Sequence, residues 1–150
     1  MGLHNRIKLE FLSLPVNLRL ARIAVTAFAS EVDYNVNDIE EIKVAVSEAV
    51  SNAIIHGYLE KPDGVITITA SLWSDALEIV VEDQGKGIED LENALQPGSG
   101  DDPERMGLGF VFMRSFMDEV EVTTEPGQST TVRLRKRLPG EVQAQWCAEK

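Results

Sequence analysis

Three groups of residues in this 150-residue chain have the types and spacing of a chemically competent site. The first is Glu48 with Asn52, which lie four residues apart in a stretch of helical periodicity and therefore share one helix face. A carboxylate there could accept a proton, and an amide oxygen could ligate a hard cation such as magnesium. A solvated polar stripe is the alternative, but the small and apolar neighbours Ala45, Ala49 and Ile55 favour a covered site.

The second group is the string DQGKG (83–87), which follows a strand pattern. Asp83 continues the alternation of the apolar residues at 77, 79 and 81, so its carboxylate is expected on the buried face, where it needs a hydrogen-bond donor. Gly85 and Gly87 allow unusual backbone angles and the close approach of a ligand. An ordinary turn at a strand end explains the string equally well.

The third group is Gly107-Leu108-Gly109, which opens a short helical stretch. Backbone N–H groups at a helix N-terminus attract anions, and Arg105, just before the glycines, could reach a terminal phosphate. A tight loop-to-helix junction is the alternative interpretation of these glycines. Residues 84–106, rich in Gly, Pro, Asp and Glu, are predicted to form a long loop that acts as a lid.

The composition indicates one soluble globular domain. With 43% hydrophobic residues the chain can fill a core, and its single cysteine excludes an internal disulfide or a cysteine-based zinc site. The formal net charge of -11 opposes binding to nucleic acid or to an anionic membrane surface. Because no apolar run approaches the length that spans a bilayer, we expect a cytoplasmic protein.

The elements that must position these groups follow from the apolar periodicity. The apolar residues of the first helix recur at Leu20, Ile23, Ala24, Ala27 and Phe28, with Arg22 on the opposite, outward side. Asn37, with Glu40 three residues on, is expected to cap the second helix, and Gly57 to end it. The predicted order is strand 6–12, helix 16–31, helix 37–57, a hairpin over 66–81, the loop, helix 109–117, and a hairpin over 120–134.

This order predicts the α+β class: a two-layer sandwich with helices on one face of a mixed, mainly antiparallel sheet. The domain is expected to span 1–138, followed by a flexible tail over 139–150.

The order of the three groups resembles the three boxes of the GHKL superfamily, whose members share a Bergerat-type ATP-binding fold. The similarity to its anti-sigma-factor serine kinases covers about residues 7–137. It rests on SEAVSNAIIHGY (47–58), VEDQGKGI (81–88), ERMGLGF (104–110) and FMDEVEV (116–122).

The resemblance implies ATP or ADP as ligand, with Mg²⁺. In this family the residue matching Glu48 is the general base on a partner's serine, the residue matching Asn52 ligates magnesium, and the one matching Asp83 accepts a hydrogen bond from the adenine amino group. The remaining matches border the nucleotide or its phosphates: Gly85, Gly87, Arg105, Gly107, Leu108, Gly109 and Thr130. Thr130 follows Ser129, where relatives commonly have glycine.

The implied partners are a sporulation sigma factor, bound by a homodimer, and an anti-anti-sigma factor that is phosphorylated on serine. Arg22 matches an arginine at which these two partners compete. Three alternatives stay open: the related kinase of a stress-response sigma factor, the ATP-binding half of a sensor histidine kinase, and a module that sequesters its partner without phosphotransfer. The histidine-kinase alternative is disfavoured because no dimerising helix with a phosphoacceptor histidine precedes the domain.

Overall fold

The computed structural model describes residues 2–87, 108–140, 142–143 and 146. Within them lie five strands, three α-helices and one π-helical turn. In chain order these are β1 (Leu3–Leu12), α1 (Val16–Ala29), α2 (Val36–Asn52), the π turn (Ala53–Gly57), β2 (Val65–Trp73), β3 (Ala76–Asp83), α3 (Leu108–Phe116), β4 (Glu119–Glu125) and β5 (Ser129–Arg137).

The sheet has the order β1-β2-β3-β5-β4, and each of the four pairings between these strands is antiparallel. Both predicted hairpins are present, and β5 also pairs with β3. Alternate residues of β2 and β3 are buried beneath the helices, as the period of two requires. The two-layer α+β class is therefore confirmed, with antiparallel pairing throughout the described strands in place of a mixed sheet.

The second helix is capped two residues earlier than the sequence suggested. Asn35 Oδ1 accepts a hydrogen bond from the Asp38 backbone N–H at 2.7 Å, and the Asp38 carboxylate accepts one from the Asn35 N–H at 3.3 Å. Asn37, the predicted cap, instead donates to Glu41 Oε1 at 2.8 Å. The prediction was wrong because both asparagines precede an acidic residue by three positions. The path of the chain into the helix decides which of the two becomes the cap.

The end of this helical segment at Gly57 is confirmed, although its last five residues form the π turn. Ile42, Val46 and Val50 are fully buried on the core side. Ala45 and Ala49, which border this side, are also buried, and α3 packs along α2. Glu48 and Asn52 are half-buried, so the polar face is partly covered, in the direction that the small neighbours of Glu48 had suggested.

The first helix is present, but its buried face differs from the predicted one. Val25 and Phe28 are buried, whereas Leu20 is 51% and Ile23 is 55% exposed. Arg22 is half-buried, not fully outward. Helix α1 has apolar residues on more of its surface than α2 covers. Helical spacing alone does not determine which of its two apolar stripes faces the core.

Beyond β5 the described positions 140, 142–143 and 146 are helical, and the Trp146 ring stacks on His4 with centroids 4.0 Å apart. The flexibility of 139–150 stays a prediction. Among the described helices, none is long and apolar enough to cross a membrane.

Candidate functional site

Glu48 and Asn52 meet the N-terminal turn of α3. A Cβ atom placed on Gly109 would lie 3.0 Å from Glu48 Oε2 and 3.3 Å from Asn52 Nδ2. Both side chains are half-buried, in the last two turns of α2. Glycine at 109 is therefore what allows the start of α3 to approach these polar groups so closely. The prediction from spacing that Glu48 and Asn52 share one helix face agrees with this geometry, and their contact with Gly109 is a finding of the structure.

Asp83 lies on the buried, helix-facing side of β3 and is only 5% exposed, as its strand parity predicted. Its Oδ1 accepts a hydrogen bond from the Gly85 N–H at 2.9 Å. The carboxylate also packs against Gly57 at the end of the π turn, where a Cβ atom would lie 2.9 Å from Oδ1. A Cβ atom on Gly85 would in turn overlap the Gly57 carbonyl oxygen.

Burial controls the protonation of Asp83. Desolvation raises the pKa of this carboxyl from 3.8 to about 6, and the hydrogen bond from the Gly85 N–H partly opposes the rise. Among the described residues this desolvated carboxylate has one hydrogen-bond donor, the Gly85 N–H, so it can accept a further donor from a ligand.

Two other predicted residues lie near the end of β3, Thr130 beside it in the sheet and Gly87 four residues after Asp83 in the chain. Thr130 pairs with Asp83 across the sheet and is 8% exposed, and its hydroxyl lies 3.3 Å from Thr124 Oγ1. Gly87 has a φ of 71°, and a Cβ atom there would collide with the backbone of Glu125, the last residue of β4. Glycine at 87 is thus required both by the left-handed backbone and by the available space.

The structure therefore brings together most of the predicted site, in two joined clusters. Glu48, Asn52 and Gly109 form one cluster, and the other contains Asp83, Gly85, Gly87 and Thr130. The π turn joins them, because it begins directly after Asn52 and ends at Gly57. Leu108 is the first residue of α3, whereas Arg105 and Gly107 lie outside the described residues. Arg22 lies on α1, which belongs to neither cluster.

Sequence reasoning treated Gly57 only as a helix terminator and did not identify Lys136. Lys136 is 9% exposed and donates to the Phe116 carbonyl at the end of α3 at 2.6 Å and to Glu41 of α2 at 3.3 Å. It thereby holds α3 against α2, the packing on which the Glu48–Gly109 approach depends. The signal was available, since Lys136 continues the inward parity of Val132 and Leu134 on β5 as Asp83 does on β3.

The two clusters have complementary chemistry. Asp83 is suited to a group that donates a hydrogen bond, while Glu48 and Asn52 supply hard oxygen donors beside the N-terminus of α3. A ligand that contacts both clusters needs a hydrogen-bond donor where it meets Asp83 and anionic oxygens where it meets the N-terminus of α3. These residues fit a nucleotide with magnesium, because Mg²⁺ is usually held by one or two protein oxygens together with substrate phosphates.

The fold and this site define the class of the chain. A family model described as a histidine kinase-like ATPase domain matches residues 11–136. The solved RsbU and RsbW domains of Rv1364c from Mycobacterium tuberculosis have a similar fold, with a TM-score of 0.66 and 22% identity over 90% of this chain. This chain spans 32% of that structure's length. The mycobacterial sensor histidine kinase MprB is also similar in fold, with a TM-score of 0.51 and 15% identity.

The curated relatives are more specific. An anti-sigma F factor of Thermoanaerobacter sp. (strain X514) is 48% identical over 136 residues, which cover 89% of this chain and 94% of the relative. Anti-sigma F factors of Clostridium acetobutylicum and Halalkalibacterium halodurans are each 46% identical over 138 residues, covering 91% of this chain and 96% and 94% of the relatives. The chain belongs to the histidine kinase-like ATPase domains and, within them, to the family of the anti-sigma F factors.

Proposed function

We propose that this chain is a cytoplasmic anti-sigma factor that binds and inhibits a sporulation sigma factor of the sigma-F type and uses Mg-ATP to phosphorylate a serine of its anti-anti-sigma factor. The observation that carries the proposal is the approach of Gly109, at the start of α3, to Glu48 and Asn52. The names and close similarity of the curated relatives support the sigma-factor partner.

The adenine amino group is proposed to donate to Asp83, which is desolvated and has one hydrogen-bond donor in the part of the chain that the structure describes. Thr130 and the glycines at 85 and 87 border the same end of the nucleotide. Leu108 and Gly109 place backbone N–H groups near the phosphates, with Gly107 and Arg105 proposed to complete that end.

For phosphotransfer, Glu48 takes the proton of the partner's serine hydroxyl as that oxygen attacks the terminal phosphorus. The bond from this phosphorus to the bridging oxygen then breaks, and ADP leaves. Asn52 would hold the magnesium ion, whose charge neutralises the phosphate oxygens when it is bound. Catalysis in this scheme rests on positioning and electrostatics, to which Glu48 contributes a half-buried carboxylate beside a helix N-terminus.

We also propose that the protein is a homodimer. Leu20 and Ile23 on α1 are more than half exposed, and Val16 on the same helix is 73% exposed. Strand β1 forms an edge of the sheet and exposes Leu3 by 45% and Leu12 by 47%. A second copy that packs on α1 would cover the exposed apolar side chains of that helix. Arg22, on the same helix, is proposed to contact the sigma factor and the anti-anti-sigma factor.

The central test is a Glu48→Gln variant. It should bind ADP within about threefold of the wild-type affinity but transfer phosphate at least about a hundredfold more slowly, the usual loss when a general base is removed. The assay uses labelled ATP and the anti-anti-sigma protein of the source cell.

Glu40→Gln is the matched control, because Glu40 is an exposed carboxylate on the same helix, paired with Lys43 at 3.3 Å. It should phosphorylate at the wild-type rate. Full kinase activity in Glu48→Gln would refute the role of Glu48. A wild-type protein that binds ATP and the sigma factor but transfers no label would instead be a sequestering module.

A further inference from the structure

Tyr58 connects two strand ends beside the nucleotide site. Its hydroxyl donates to the Val65 carbonyl at 2.6 Å and accepts from the Gln84 N–H at 2.6 Å. Val65 begins β2, and Gln84 directly follows Asp83 at the end of β3. The ring packs flat against Gly64, where a Cβ atom would lie only 2.5 Å from the ring carbons. Both hydrogen-bonding functions of the hydroxyl are thus used, and a glycine makes room for the ring.

The backbone around Tyr58 is unusually irregular. The π turn ends one residue before it, and Leu59 and Glu60 after it both have positive φ, at 53° and 63°. For residues with a Cβ atom this conformation costs about 1–2 kcal/mol each. Leu59 is 56% exposed, so burial of its side chain does not explain the conformation. The irregular backbone has hydrogen bonds of its own, from the Tyr58 N–H to the Ala53 carbonyl at 3.0 Å and from the Glu60 N–H to the Ile54 carbonyl at 2.9 Å, and it carries the Tyr58 side chain to its contacts with both strand ends.

The hydroxyl holds the first of three consecutive amides that follow Asp83. The Gln84 N–H donates to Tyr58, the Gly85 N–H to the Asp83 carboxylate, and the Lys86 N–H to the Gly57 carbonyl at 2.9 Å. The Gln84 N–H belongs to the peptide unit that leaves Asp83. The Tyr58 hydroxyl therefore restrains the rotation of that unit and, with it, the direction of the Asp83 side chain.

We infer that Tyr58 is a positioning residue for base recognition: its hydroxyl fixes the peptide after Asp83 so that the carboxylate faces the amino group of adenine and discriminates against guanine. The inference rests on the proposed function, since it assumes that Asp83 binds the base. Guanine carries a carbonyl oxygen where adenine carries the amino group. A carboxylate held in the orientation that accepts from the amino group therefore favours adenine, and a carboxylate free to reorient favours adenine less.

The experiment compares Tyr58→Phe with the wild type for ADP and GDP affinity by calorimetry, and for unfolding in urea without nucleotide. We expect ADP affinity to fall about five- to tenfold, the equivalent of one hydrogen bond, while GDP affinity stays within about twofold. The ratio of ADP affinity to GDP affinity should therefore be smaller in Tyr58→Phe than in the wild type. The unfolding midpoint should change little, because both hydrogen bonds lie where solvent can replace the hydroxyl.

Ser13→Ala is the matched control with the opposite expectation. Ser13 is fully buried, and its hydroxyl donates to the Lys61 carbonyl at 2.6 Å and accepts from the Gly64 N–H at 3.0 Å. It thus ties down the loop after Tyr58 without contacting the residues that follow Asp83. Ser13→Ala should lower the unfolding midpoint and keep the wild-type ADP affinity and ADP-to-GDP preference.

Three outcomes would overturn the inference. Tyr58→Phe could keep the wild-type ADP-to-GDP preference, or it could lose ADP and GDP affinity equally. Ser13→Ala could narrow the preference as much as Tyr58→Phe, which would make the effect one of general loop stability. If the wild-type protein binds neither ADP nor GDP, the proposed function itself fails. If the wild type prefers ADP and Tyr58→Phe prefers it to the same degree, only the inference about Tyr58 fails.

Discussion

Replacing Asp83 by asparagine should stabilise the nucleotide-free protein at neutral pH while weakening nucleotide binding. Because the folded pKa is about 6 and the ordinary value is 3.8, the folded state holds a proton that the unfolded state has released between these pH values. Wild-type stability therefore falls as pH rises through this window, by about 3 kcal/mol in total once Asp83 is ionised in both states. Asparagine keeps an acceptor for the Gly85 N–H and carries no charge to desolvate.

The effect of Asp83→Asn on the free energy of unfolding should depend on pH. At pH 4.5 the folded carboxyl is neutral and most of the cost is absent, so the stability advantage of Asp83→Asn should grow by about 2 kcal/mol between pH 4.5 and pH 8. Urea unfolding at both pH values, without nucleotide, measures this difference directly. Glu82→Gln is the control, because Glu82 is the neighbouring residue of β3, half-buried on the opposite face of the sheet, and its neutralisation changes the net charge equally.

The reasoning is refuted if the advantage of Asp83→Asn does not grow with pH, or if Glu82→Gln shows the same growth. The same carboxylate links nucleotide affinity to pH in the wild type. If the ionised form accepts the adenine amino group, ADP should bind more tightly as pH rises through about 6. In Asp83→Asn the affinity should be at least about tenfold lower, since a charge-assisted hydrogen bond becomes a neutral one, and it should lose this pH dependence.

Three further predictions concern backbone space and the apolar helix surface. Gly109→Ala places a methyl group 3.0 Å from Glu48 Oε2 and should weaken ADP binding at least about tenfold without lowering the unfolding midpoint, because alanine favours the helix by about 1 kcal/mol. Gly85→Ala collides with the Gly57 carbonyl, and urea unfolding should show a loss of about 2 kcal/mol or more. Leu20→Asp, at a 51% exposed position, should leave the fold intact and shift the protein from dimer to monomer in sedimentation at micromolar concentration.

Each of these has a clear contrary result. Gly127→Ala is the control for the glycine series. No atom of the described residues lies within 4 Å of its Cβ position, and the φ of 81° opposes the change by about 1–2 kcal/mol. A Gly85 variant no less stable than the Gly127 variant would contradict the contact with Gly57. Wild-type ADP affinity in the Gly109 variant would place the phosphates elsewhere. A Leu20 variant that stays dimeric would show that α1 is not the interface.

Much of the site follows from periodicity alone. Side chains alternate across a strand and recur every three or four residues on a helix, so the amino-acid sequence is enough to predict the burial of Asp83 and the shared face of Glu48 and Asn52. The same alternation marks Lys136 as inward-facing on β5. Local patterns of this kind depend only on residues close together in the chain.

What the tertiary structure alone decided are the contacts between segments distant in sequence. Periodicity on α1 cannot tell which apolar stripe α2 covers, so Leu20 and Ile23 were assigned to the core and are exposed. Nor can it reveal that Gly57 must lack a side chain because Asp83 packs on it. A helix or strand pattern specifies the direction of a side chain relative to its own backbone, whereas the partner that it meets is set by how separate elements pack.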